Sequence, residues 1–537
     1  MPAAEPDVLD VVVVGAGFSG LYLLHRLREQ GLTVQVLESA EGLGGTWYWN
    51  RYPGARCDVD AVEYGFSFSK ELDDTWEWDE RFATQGRILE YLNHVADTFD
   101  LRRDIRFGTR VAAATWDDDS ARWTVRTEAG DVYRARYTIM ATGCLSVPKQ
   151  PDIPGLDSFA GPVYFTSSWP HREIDFTGRR VGVIGTGSSA VQAIPLIAAQ
   201  AAHLTVFQRT PNWVVPAHNR ELTDADRTAE VLAGRRRSGL DCPLGLAHEF
   251  SEANLAEAKN LSPEDRRAEL ERLWERGGLT MILAFADLLI DQEAGRTAAA
   301  FVAEKIRARV HDPATAEKLI PSGYPFGAKR LCVDTNYFEA YNRDTVDLVD
   351  LRATPIETIT PHGLRLSDGE VEFDDLVMAT GFDAMTGALT AVDIRGRGRV
   401  ALADKWSDGP RTYLGLSVAG FPNLFTMTGP GSPSVLSNMR VSIEQHVDWI
   451  AACIRYLDER GMRSIEASPA AEEDWVRHVA EVGEPTVFSQ GNSWYVGANV
   501  PGKPRVFMPY IGGVPLYRET CADVAAQGYR GFQLTPA

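Results

Sequence analysis

The sequence predicts an α/β protein in which two parallel-sheet units carry an all-helical insertion. A unit of strand, glycine-rich turn and helix occurs twice, at VLDVVVVGAGFSGLYLLHRLREQG and at RRVGVIGTGSSAVQAIPLIAAQ. Between 221 and 329 the pattern changes, and charged amphipathic segments replace the β-branched runs.

The first unit opens on four valines at 11–14, an apolar run short enough for a strand buried on both faces. Gly15, Gly17 and Gly20 follow as G-x-G-x-x-G. Leu21, Leu24 and Leu27 mark one helix face, and Gly31 is a plausible helix stop. The next strand, TVQVLE, ends at Glu38. The second unit has Gly185, Gly187 and Ala190 in the turn, and Pro195 should bend its helix. Within the insertion, SPEDRRAELERLWERGG and AAAFVAEKIRARVHDPATAEKL read as helices. The most apolar helical stretch, MILAFADLLI at 281–290, is too short to span a bilayer and carries Asp287. Strands return with DTVDLVDL and EFDDLVMATGFDA, and 384–537 mixes helix and loop.

In such a turn the first glycine permits the sharp bend and the second lets backbone N–H groups approach a pyrophosphate. The third position lets helix and strand pack closely, and the helix N-terminus presents free N–H groups to the phosphate. Both units are therefore Rossmann-like. The polar residue after the next strand tells them apart. Glu38 can accept hydrogen bonds from a ribose diol, as an FAD or NAD ribose requires. The matching place in the second unit holds Gln208, Arg209 and Thr210 with no carboxylate, so a guanidinium stands where a 2′-phosphate would sit. The first cradle thus reads as an FAD site and the second as an NADP site. The NADP cradle takes in Gly185, Thr186, Gly187, Ser188, Ser189, Ala190 and Gln192. Two dinucleotide sites in one chain imply hydride transfer from NADPH to flavin.

Composition narrows the electron acceptor. Lys plus Arg is 54 and Asp plus Glu is 74, a formal charge of −20 that argues against a nucleic-acid partner. The 537 residues hold six cysteines, at 57, 144, 242, 332, 453 and 521, with no C-x-x-C. That leaves a disulfide framework, a zinc ribbon and a disulfide-reductase dithiol unsupported, and no metal site is expected. No G-x-S-x-G, H-E-x-x-H or haem C-x-x-C-H occurs. Dioxygen is the remaining common acceptor. The start, MPAAEPDVLD, has neither a basic region nor an apolar core, so a cytoplasmic protein without membrane contact is expected.

At 44–58 the sequence reads GGTWYWNRYPGARCD, and at 159–170 FAGPVYFTSSWP. With the two cradles, these resemble type I Baeyer–Villiger monooxygenases over essentially the whole chain. FGAKR at 326–330, GPGSPSVLSNM at 429–439 and SWYVGANVPGKPRVFM at 493–508 resemble the phenylacetone and steroid monooxygenase group. The first stretch matches the family pattern throughout. The second has Phe165 where the family fingerprint has histidine, a departure expected to be a packing replacement that bears on NADP handling and domain movement.

The resemblance implies a flavoenzyme that uses NADPH and O2 to turn ketones into esters or lactones through a C4a-peroxyflavin, and that also oxidises sulfides. It places Arg330 as the active-site arginine and Asp58 as the carboxylate that orients it. Lys329, Arg209 and Thr210 would grip the 2′-phosphate. Ser19, Gly45, Thr46, Trp47, Tyr48, Trp49, Asp58, Tyr64, Val111 and Met439 match flavin-contacting positions. Arg56, Cys57, Asp58, Arg330 and Trp494 would border the NADP. Cys144, Ser434, Val435, Leu436, Met439 and Trp494 would line the substrate pocket. The expected division is an FAD domain in two parts (1–147 and 384–537, with a mobile loop near 490–510), an NADP domain in two parts (148–220 and 330–383), and the insertion at 221–329. A monomer or weak homo-oligomer is expected. Two alternatives stay open: an N- or S-oxygenating flavin monooxygenase, and a flavin-binding redox module with weak or no turnover.

Overall fold

The computed structural model describes residues 8–149, 151–248 and 250–537. Among these residues two sheets organise the chain. The first is eight-stranded and is centred on strand Val8–Val14, which lies parallel to Val34–Leu37 on one side and Val132–Met140 on the other. Val11, Val12 and Val13 are fully buried, which is why this strand reads as a continuous valine run. The sheet also takes in strands from far along the chain: Leu424–Thr426 pairs with Val132–Met140, and Asp393–Arg395 pairs with Val111–Asp117.

The second sheet is parallel throughout. Its order is Val346–Asp350, His203–Gln208, Arg180–Ile184, Asp375–Met378 and Val163–Phe165. Phe165 lies on this edge strand opposite Met378 and packs on the cluster around Ile184, Phe207 and Leu376. An apolar ring suits that position. The chain crosses between the sheets at 141–149 and 379–384, where Pro148 bridges Phe382.

The glycine-turn helices form as the pattern predicts. Helix Phe18–Glu29 buries Leu21, Leu24 and Leu27, and Gly31 follows it at φ +79°. Helix Ser188–Gln200 contains Pro195. From 221 to 329 the described residues form helices without strands, and the flanking strands Val214–Pro216 and Cys332–Asp334 pair in parallel at the base. Helix Pro263–Arg276 starts on a Ser262 cap, and Gln292–Arg309 on Asp291. One expectation fails. The stretch 281–290 is not an α-helix but a 3₁₀ turn at Leu279–Leu283 followed by turns. Its bonds go to a neighbouring loop: the Ala286 N–H donates to the Ala256 carbonyl at 3.0 Å, and buried Asp287 accepts from the Ala258 N–H at 2.9 Å. No helix of the described residues is long and apolar enough to cross a membrane.

The long helix Met439–Glu459 joins the C-terminal part to the first sheet's layer. Its Arg440 is 2% exposed, donates twice to the Glu63 carbonyl and pairs with Glu444 at 2.9 Å.

Candidate active site

In the first cradle, Gly15 has φ +107°, and a Cβ there would meet the Ala141 carbonyl at 2.5 Å. A Cβ at Gly20 would lie 1.9 Å from the Gly15 oxygen, so both glycines are required by close backbone approach. Gly17 and Gly45 face each other, with a Gly17 Cβ only 3.5 Å from the Gly45 Cα. The helix that follows has no side-chain cap, which leaves its first N–H groups for a phosphate. Glu38 is buried and accepts from the Ala16 N–H at 2.7 Å and the Ala40 N–H at 2.8 Å. A carboxylate offers about four acceptor sites, so capacity remains for a ribose diol. The cradle and the carboxylate fit FAD.

The segment after Gly45 forms a single helical turn, Thr46–Trp49. Trp47 is buried and donates to the Tyr64 hydroxyl at 3.1 Å, and the Tyr64 ring meets Phe18 edge-on. Thr46 is exposed, and Tyr48 and Trp49 are half-buried with their rings edge to face, so these three can meet a ligand. Ser19 is buried in the helix start, Val111 opens a strand and Met439 opens the long helix.

In the second cradle a Cβ at Gly185 would lie 2.5 Å from the Ala379 carbonyl, whereas Gly187 faces open space. Its helix also lacks a side-chain cap. Thr186 donates to the Thr210 carbonyl at 3.2 Å, which brings Arg209 and Thr210 to the turn. Ser188 lies 3.5 Å from the Cys332 sulfur, and Ala190 is fully buried beneath the helix. Arg209 is exposed, and half-buried Lys329 lies over the Tyr324 ring at 4.5 Å. Burial and the Arg209 charge lower the Lys329 pKa.

Two side chains expected at the NADP make contacts within the protein. Gln192 accepts from the Tyr52 hydroxyl at 2.9 Å and donates to the Arg56 carbonyl at 3.1 Å. Arg56 pairs with Glu80 at 3.2 Å and donates to the Phe82 carbonyl. The Arg56 side chain ties the 52–56 loop to residues 80–82, and Gln192 ties the same loop to the second cradle's helix. Gly54, at φ +79°, makes this possible, since a Cβ there would lie 2.4 Å from the Gln192 carbonyl. Next to it, burial pushes the Cys57 thiol well above its ordinary pKa, so it is a packing group and not a nucleophile.

Arg330 and Asp58, 272 residues apart, meet in a two-pronged ion pair. Arg330 Nε lies 3.0 Å from Asp58 Oδ2, and Nη2 lies 2.8 Å from both carboxylate oxygens. Nη1 donates to the Val435 carbonyl at 3.0 Å. The Tyr495 hydroxyl also bonds to the guanidinium. Burial opposes the Arg330 charge, but the Asp58 carboxylate and the Tyr495 hydroxyl together outweigh it and hold the pKa above its ordinary value.

An apolar cavity adjoins this guanidinium. Val435 and Leu436 line it, as expected, together with Leu244, Leu246, Leu279, Ile282 and Tyr495. Cys144, Ser434, Met439 and Trp494 do not reach its wall. Ser434 turns back to the Thr428 carbonyl at 3.0 Å, and Trp494 packs on Tyr495 at 4.2 Å. Cys144, Met439 and Trp494 form a supporting layer with Val435 and Phe488. Tyr495 was missed although it lies inside the family-like stretch 493–508. The four aliphatic residues from the insertion carry no chemical signal in the sequence. Among the described residues no cluster could hold a metal ion, and all six cysteines are free and buried.

A family profile described as pyridine nucleotide-disulphide oxidoreductase matches residues 12–231. Acetone monooxygenase (methyl acetate-forming) of Gordonia sp. (strain TY-5) is 45% identical over 533 residues, covering 98% of this chain and 99% of that protein. Phenazine N-monooxygenase of Lysobacter antibioticus is 39% identical over 535 residues, 98% and 97% of the two chains. The structure of an oxidized steroid monooxygenase bound to NADP superposes with a TM-score of 0.94 at 51% identity, covering 99% of this chain and 100% of that one. The chain belongs to the Baeyer–Villiger monooxygenases, FAD-dependent enzymes that use NADP.

Proposed function

We propose that the protein uses NADPH and dioxygen to convert ketones into esters or lactones. The observation that carries this reading is the Arg330 guanidinium, gripped by Asp58 and the Val435 carbonyl at the wall of an apolar cavity. FAD, when bound in the first cradle, supplies two-electron chemistry toward NADPH and oxygen. The chain's own share is binding, orientation and charge.

Glu38 holds the adenosine ribose of FAD, and Arg209, Thr210 and Lys329 hold the 2′-phosphate of NADPH. Arg330 keeps its charge at any working pH, so it favours negative charge as it grows on the carbonyl oxygen of a bound ketone. Asp58 fixes the plane of the guanidinium, and the Val435 carbonyl takes one of its remaining N–H groups. The aliphatic wall selects an apolar carbon skeleton and excludes water. Sulfides of similar size are expected as further substrates. The strands that each sheet draws from both parts of the chain support the FAD and NADP domain division given above.

A panel of linear, aryl, cyclic and polycyclic ketones with NADPH and oxygen, read by product mass, tests the proposal. An ester or lactone one oxygen heavier than the ketone supports it. NADPH consumption that ends only in hydrogen peroxide refutes it. Similarity to phenazine N-monooxygenase favours a second reading, oxygenation of a ring nitrogen. A panel of nitrogen heteroaromatics scored for N-oxides in the same assay separates the two.

A further inference from the structure

The second cradle is bordered by a cation that the phosphate assignment above does not include. Lys149 lies on the crossing between the sheets. Its backbone N–H donates to the Gly381 carbonyl at 3.0 Å, and its carbonyl accepts from the Thr380 hydroxyl at 3.5 Å. The partner segment abuts the second turn directly: the Ala379 N–H donates to the Ile184 carbonyl at 2.9 Å, and the Ala379 carbonyl covers Gly185. The Lys149 backbone is thereby fixed beside the same turn to which the Thr186–Thr210 bond brings Arg209. Tyr324, which carries Lys329 on its face, donates to the Pro211 carbonyl at 2.7 Å and so anchors the third cation in the same place.

Lys149, Arg209 and Lys329 have no carboxylate within ion-pair distance among the described residues, although the chain carries a formal charge of −20 and pairs most of its arginines. Burial and the Arg209 charge lower the pKa of Lys149, as they do for Lys329. Cations that repel one another at a half-buried site are costly unless an anion occupies the space between them.

We propose that Lys149 is a third ligand of the 2′-phosphate of NADPH, contributed by the interdomain crossing. The phosphate then touches the crossing as well as the nucleotide domain, so binding of NADPH, and not of NADH, restrains the crossing. This inference rests on the reading that Arg209 and Lys329 take the 2′-phosphate.

The test is calorimetric titration of the FAD-loaded enzyme with adenosine 2′,5′-bisphosphate and with AMP. Lys149→Gln should weaken the bisphosphate by about tenfold, the usual effect of losing one charged hydrogen bond, and leave AMP unchanged. Lys149→Arg should restore most of the affinity, and serves as the reference if Lys149→Gln loads FAD poorly. Parent-like bisphosphate affinity in Lys149→Gln, with a large loss in Arg209→Ala, would overturn the role of Lys149 alone. Parent-like affinity in both variants would overturn the 2′-phosphate reading itself, and this inference with it.

Discussion

At the scale of single residues, the site is a set of charges placed where an acidic protein would otherwise neutralise them. Arg330 is paired, but its partner is also its mount. Arg330→Ala should retain bound FAD while ester formation falls by about 10²–10³-fold, the range seen when a donor to developing negative charge is removed. Flavin absorbance and product mass on the same preparation check both halves. Arg209 is exposed and without a carboxylate partner among the described residues, so its charge is available to a ligand. Arg209→Ala should raise KM for NADPH by about tenfold or more and leave NADH nearly unchanged. Equal losses for both coenzymes would remove the 2′-phosphate assignment.

Elements position these residues, and one of them carries a pH dependence. His446 lies within helix Met439–Glu459 and is fully buried. Its Nδ1 accepts from the Thr428 N–H at 3.0 Å, and its Nε2 meets the Tyr517 hydroxyl at 3.0 Å. That hydroxyl donates to the Leu414 carbonyl at 2.6 Å, so the imidazole is neutral with its proton on Nε2. Burial lowers its pKa from 6.5 to about 3. Between those values the unfolded chain binds a proton that the folded chain does not. The stabilising effect is complete above pH 6.5 and declines as pH falls toward 3, by about 2 kcal/mol at pH 5. The thermal midpoint should therefore drop between pH 6.5 and 5, and His446→Gln should flatten that slope.

At the scale of the whole molecule, the 493–508 stretch connects the site to the crossing. Lys503 pairs with Asp383 at 2.5 Å and donates to the Ala384 carbonyl, and Asn499 donates to the Phe382 carbonyl at 2.6 Å. The same stretch carries Tyr495 to Arg330 and is held in place by the Met508 N–H, which donates to the Tyr495 carbonyl at 2.9 Å. These bonds join the crossing to a residue of the cavity wall. Lys503→Ala should leave NADPH oxidation running while the ratio of ester formed to NADPH consumed drops by about half or more, because the stretch that carries Tyr495 to Arg330 is then held less firmly and water is excluded less well. Hydrogen peroxide measured beside ester gives that ratio. An unchanged ratio would separate the loop from the chemistry.

The sequence by itself determined the two glycine-turn cradles, the polar residue that tells them apart, and the residue types at Asp58 and Arg330. Those features are local: a glycine is demanded where a backbone oxygen leaves no room for Cβ, and a carboxylate or a guanidinium declares which ribose it suits. It misplaced 281–290, because an apolar run reads alike whether it bonds to itself or to a neighbouring loop. The contacts that the Gln192 and Arg56 side chains make within the protein, to Tyr52, the Arg56 carbonyl and Glu80, were not legible in the sequence. Only the tertiary structure decided the cavity wall and the neighbourhood of Lys149. Aliphatic packing has no spacing rule across separate elements, and an unpaired cation is recognisable only when the carboxylates that could have reached it are seen to lie elsewhere.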